Sequence, residues 1–126
     1  MHPVTLEFEV GRPDTAAALG SGDLEVLATP RLLAWCEAAT VAVLAVDGVG
    51  AGHRQTSVGT RVTLDHLVAT PIGGLVRVQA EAVHTDGRLR AFSVVATDRH
   101  GRTVATAQVS RVVVDRDRFN ARLPPG

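Results

Sequence analysis

The segment from Ala28 to Val46 constrains the fold more than any other part of the chain. Ala28-Thr29-Pro30-Arg31 reads as a helix start. The Thr29 hydroxyl can cap the first turn as the N-cap, and proline suits the first helical position, where no N–H is needed. Asp47-Gly48-Val49-Gly50 stops the helix near Val46. In between, Leu32, Leu33, Ala34, Trp35, Ala38, Ala39, Val41, Ala42, Val43, Leu44 and Ala45 cover nearly the whole circumference. A helix apolar all round has to be buried. In a chain of 126 residues that calls for a sheet wrapped around it and a second subunit closing the open side. Its longest apolar stretch, Ala38 to Val46, is interrupted by Thr40 and falls short of a membrane span.

The flanking segments supply that sheet. Val4 to Val10 alternates apolar and polar residues, as a half-buried strand does. Thr15 to Leu27 shows no period and reads as a loop with one short helical turn. Thr56 to Val68 alternates, with Val58, Val62, Leu64 and Val68 on one face. Leu75 to Val83 and Leu89 to Thr97 follow, joined by a hairpin at Asp86-Gly87. Thr103 to Asp115 is the last strand, and Arg116 to Gly126 reads as a polar tail. Consecutive hairpins demand an antiparallel sheet. The fold class is therefore α+β: a five-stranded antiparallel sheet wrapped around one long central helix, the hot-dog architecture, as a single domain over residues 1–126.

Thirteen basic and thirteen acidic residues cancel. That balance argues against a nucleic-acid partner, which would call for a basic face. No secretory leader is visible, and one cysteine, Cys36, leaves no internal disulfide. The expected setting is cytoplasmic, with no membrane association. Without paired spacing of His, Cys or carboxylates no metal site is expected.

Three residues stand out chemically. Glu37 lies mid-helix among Ala34, Trp35, Ala38 and Val41. It is either a general base or water-orienting carboxylate, or one end of a narrow solvent strip shared with Thr40. His66 shares parity with Val62 and Leu64, so a regular strand turns it towards the apolar face, as a core histidine or a catalytic one. Thr29, read as the N-cap, also sits among free backbone N–H groups that can hold an oxyanion. Arg111, Arg116, Arg118 and Arg122 could meet an acidic ligand group.

Ala28-Thr29, Glu37 eight residues on, Gly59-Thr60 with His66, Ala69-Thr70-Pro71, Arg111 and Arg118-Phe119-Asn120-Ala121-Arg122 occur in an order and spacing that resembles the fluoroacetyl-CoA-specific thioesterase family. The similarity runs from about Leu24 to Leu123. It implies an acyl-CoA thioesterase whose catalytic set is Thr29, Glu37 and His66, with Arg111 and Gly73 or Gly74 contacting substrate. It implies no cofactor beyond the coenzyme A of the substrate, and a homodimer or a tetramer. The phenylalanines that gate the acyl pocket in the fluoroacetate enzyme have no counterpart in Gly22 to Leu27, so a different small or medium acyl group is expected. The other readings are a hot-dog acyl-CoA or small-acid binding protein without turnover and, lacking any recognisable motif, a hydratase.

Overall fold

The long helix forms where its capping and terminating residues place it. In the computed structural model, which describes residues 2–126, α2 runs from Thr29 to Val46, after strand β1 (Val4–Glu9), a 3-10 turn (Arg12–Asp14) and the one-turn helix α1 (Ala16–Leu19). Strands β2 (Gln55–His66), β3 (Leu75–Asp86), β4 (Leu89–Asp98) and β5 (Thr103–Asp115) follow, and a short helix α3 (Arg116–Ala121) closes the chain. The sheet order is β1-β3-β4-β5-β2, with every pairing antiparallel. β1 and β2 are thus the two edges.

Alternation drives the inner face of the sheet against α2. Val76, Val78 and Ala80 of β3, Phe92 and Val94 of β4, and Ala105, Ala107 and Val109 of β5 are buried with Leu32, Trp35, Cys36, Ala39, Val43 and Leu44 of α2. Each large side chain so buried contributes about 1.5–3 kcal/mol. Phe8 of β1 stacks on Trp35 with ring centroids 4.5 Å apart and planes 3° from parallel, which ties the edge strand to the helix. Thr40 is fully buried and its hydroxyl donates to the Glu37 carbonyl at 2.6 Å. The solvent strip considered for Glu37 and Thr40 therefore does not exist.

The side of α2 away from the sheet carries Ala34, Val41, Ala45 and Val46, all exposed in the single chain, with Ala38 half-buried between them. By length and mean hydropathy α2 could span a membrane, but a core helix meets the same criteria and its other face carries the core.

Two local expectations are corrected. The N-cap of α2 is Ala28, with no side-chain cap, and Thr29 is the first helical residue. The polar tail contains α3, whose first turn is capped by the Asp115 carboxylate accepting from the Arg118 N–H at 3.0 Å. A third correction concerns β2. Its register with β5 shifts between Gly59 and Arg61, so Thr60 is the extra residue of a β-bulge. Val62, Leu64 and His66 lie opposite Val109, Ala107 and Ala105 on the inner face, whereas before the bulge it is Ser57 and Gly59 that lie opposite the inner residues Val113 and Arg111. Val58 falls opposite Val112, on the outer face, not with Val62 and Leu64.

Candidate active site

The shift from N-cap to first helical residue frees the Thr29 hydroxyl. Thr29 is exposed, and its Oγ1 lies 2.7 Å from Nδ1 of His66, at the end of β2. With the ring proton on Nε2, the threonine hydroxyl donates to Nδ1; this is the tautomer a base needs to accept that proton. His66 Nε2 is itself buried without a well-formed hydrogen bond. Burial pushes the imidazole below the ordinary histidine range, against a weaker opposing pull from the Val68 backbone. The result is a neutral imidazole at pH 7, the form required of a general base.

A second polar group forms further along β2. The Arg111 guanidinium is 7% exposed. Its Nε donates to Ser57 Oγ at 2.9 Å, its Nη2 to the Ser57 carbonyl at 3.4 Å, and its Nη1 to Glu37 Oε2 at 3.2 Å. Glu37 keeps about a third of its side chain accessible. Gly59 makes this possible: a Cβ built there would collide with Glu37 Oε2 and stand 3.3 Å from Arg111 Nη1. The bulge at Thr60 is what turns Gly59 inward beneath the carboxylate.

Of the residues singled out from sequence, the structure thus brings together Thr29 with His66 and Glu37 with Arg111. The two pairs do not meet within one chain. Gly59, under Glu37, and His66 are seven positions apart on one strand, roughly 20 Å at ordinary strand rise. Gly59 stands in the Gly59-Thr60 stretch that carries the family resemblance, without a role assigned to it, and Ser57 is not picked out from sequence at all. Their signal was the bulge, which periodicity does not show.

Gly73 and Gly74 border a cleft of about 340 Å³ together with Thr70, Pro71, Arg99 and His100. Their backbone groups are already engaged. The Gly73 N–H donates to the Val10 carbonyl at 2.8 Å and the Gly74 N–H to the Pro71 carbonyl at 2.9 Å. Gly73 takes φ +87°, and a Cβ on Gly74 would stand 2.5 Å from Thr70 Cγ2, so both glycines are required by the turn itself. Cys36 offers no alternative nucleophile: burial, with a smaller contribution from the Glu37 charge, pushes its thiol up to about 11.

Comparison with known proteins bears on the fold and the family. The family model for the fluoroacetyl-CoA-specific thioesterase FlK matches residues 10–117. Among solved structures, a variant of FlK in complex with fluoroacetate and CoA superposes with a TM-score of 0.83 at 28% identity, covering 94% of each chain. FlK itself superposes with a TM-score of 0.84 at 27% identity, covering 98% of this chain and 96% of that one. A hot-dog-like protein from Thermanaerovibrio acidaminovorans gives a TM-score of 0.83 at 25% identity, covering 96% and 87%. No curated protein matches by sequence. The expected hot-dog fold is confirmed, and the chain belongs to the fluoroacetyl-CoA-specific thioesterase family.

Proposed function

We propose that this chain is an acyl-CoA thioesterase that hydrolyses a small or medium acyl thioester other than fluoroacetyl-CoA. The observation that carries this reading is the 2.7 Å contact between the exposed Thr29 hydroxyl and a His66 imidazole held neutral by burial. In one route His66 accepts the Thr29 proton as Oγ1 bonds to the thioester carbonyl carbon. The C–S bond then breaks, the thiolate leaves with the proton from the imidazolium, and water releases the acid from the threonyl ester. In the other route Glu37 orients a water that attacks the carbonyl directly. Either way the developing oxyanion needs donors, and the free N–H groups at the start of α2 flank Thr29.

A homodimer supports this chemistry. β2 is an unpaired edge, and the Ala34–Val41–Ala45 side of α2 is an uncovered apolar stripe. Antiparallel pairing of β2 with its copy would bring the Gly59 end of one strand beside the His66 end of the other. Glu37 would then join the Thr29–His66 pair across the interface.

The separation of the two pairs within one chain favours a second reading, an acyl-CoA or small-acid binding protein without turnover. Free-thiol release from a panel of acyl-CoAs, measured beside the oligomeric state, decides between them. Turnover by a dimer, lost in His66→Gln and Thr29→Ala, supports the thioesterase. Saturable binding with no thiol released by wild type overturns it.

A further inference from the structure

A second cleft, of about 310 Å³, lies where β5 runs out into α3, far from the glycine turn. Arg88 from the β3–β4 hairpin, Arg118 and Arg122 from the last helix and its C-cap, and the exposed side chains of Phe119 and Leu123 line it. None of those three arginines forms an ion pair among the described residues. One carboxylate, Asp115, also lines the cleft, but it is occupied: it caps α3 and accepts from Arg54 at 2.7 Å. On a chain of zero net charge, unpaired guanidinium groups around a cleft with an aromatic face are a local departure. The first cleft differs. There Arg102 is held by Asp98 at 2.8 Å, Arg99 donates to the Gly73 carbonyl at 3.0 Å, and the one ring on the lining is the His100 imidazole, with no phenylalanine or tryptophan face.

We infer that the cleft at α3 binds an adenosine phosphate, with the guanidinium groups on the phosphates and the Phe119 ring against the base. Guanidinium groups match phosphate oxygens in bidentate geometry, and a partly exposed phenylalanine offers a stacking face to any base. Arg111 precedes Asp115 by four residues on β5, roughly 13 Å along the strand. A ligand whose nucleotide occupies the cleft can therefore run round the end of the sheet towards Glu37. The nucleotide end of acyl-CoA is one source of this chemistry, and that assignment rests on the thioesterase reading. A free adenine nucleotide is the other.

The test is calorimetric titration of the full-length protein with adenosine 3′,5′-bisphosphate and with ribose phosphate. Wild type is expected to bind the bisphosphate saturably and more tightly than ribose phosphate. The Arg118→Gln/Arg122→Gln double variant should bind it at least tenfold more weakly, since two charge-assisted contacts are removed, and Phe119→Ala should erase the preference for adenosine. Should the double variant not fold, loss of wild-type affinity on adding salt, together with the Phe119→Ala result, carries the same information. Absence of saturable binding to wild type, or equal affinity in the variants, overturns the inference. The source follows from the ratio of kcat/KM for acyl-CoA over the matching acyl-pantetheine. A tenfold fall in that ratio in the double variant assigns the cleft to the substrate, and an unchanged ratio assigns it to a free nucleotide. If no thioester is hydrolysed at all, the thioesterase reading fails while the titration still decides the cleft.

Discussion

Gly59→Ala isolates the contact on which the Glu37 site depends. Gly59 does not adopt a left-handed φ, so alanine costs the backbone nothing and should stabilise by about 0.4–1 kcal/mol through the unfolded chain. Against that, its Cβ would occupy the position of Glu37 Oε2, so the carboxylate must leave. Arg111, 7% exposed, would lose its only carboxylate partner among the described residues. Removing one member of a buried pair costs about 3–5 kcal/mol. With a third of Glu37 open to solvent the discount for screening brings this to about 1–3 kcal/mol. The net expectation is a loss of about 1–2 kcal/mol, a melting temperature lower by roughly 4–8 °C for a domain of this size, and a fall in kcat of at least about tenfold. Thermal melts followed by circular dichroism and a thiol-release assay measure both. The decisive comparison is Gly59→Ala made in a Glu37→Ala background, where the added methyl meets no carboxylate and should be neutral or stabilising. A cost that persists in that background, or a single variant as stable and active as wild type, would refute the reasoning.

Three further outcomes are expected. Thr29→Ala should abolish thiol release without lowering the melting temperature by more than about 1 kcal/mol equivalent, because Ala28 and not Thr29 is the N-cap; Thr29→Ser should retain much of the rate. The pH profile should show activity falling as pH drops through a value below the ordinary histidine pKa, since burial depresses His66 and only its neutral form accepts a proton. The same shift makes His66 a stabilising neutral group above about pH 6.5, a contribution lost as pH falls towards the depressed value; His66→Gln should remove that part of the acid dependence in equilibrium melts. Gly74→Ala should destabilise by about 1–3 kcal/mol in denaturant melts, because its Cβ would press on Thr70 and on the Pro71 carbonyl, 3.0 Å away.

The reach of the sequence is clearest in α2. Pro30 and Asp47-Gly48 delimit it within a residue, and its all-round apolar surface announces both the enclosing sheet and the uncovered Ala34–Val41 side. What escaped was whatever depends on a single residue of register or on contacts distant in the chain. Thr29 was assigned one position too early, a difference that changes what its hydroxyl does. The Glu37–Arg111 pair spans 74 positions, beyond any local pattern. Helix α3 has six residues, too few to establish a period, although Asp115 ahead of it carried the capping signal. Val58 was placed inward because alternation was continued through Thr60, where the strand takes its extra residue.

That extra residue gives β2 an unusual kind of heritable information. Its two halves are out of phase in sequence, so whether Thr60 stands outside the ladder, as distinct from the strand's composition, decides which side chains face the helix. Excising Thr60 would restore unbroken alternation. It would leave Gly59 opposite Arg111 and facing inward, Val58 facing outward, and the space beneath Glu37 unchanged. Forcing Thr60 into the ladder with the strand's length kept would instead set Thr60 opposite Arg111, turn Gly59 outward and Val58 inward, and put a side chain where Glu37 now reaches. Among related chains, one that lacks the residue at position 60 can therefore keep the Glu37–Arg111 pair, whereas one that holds it in an unbroken ladder must work without it.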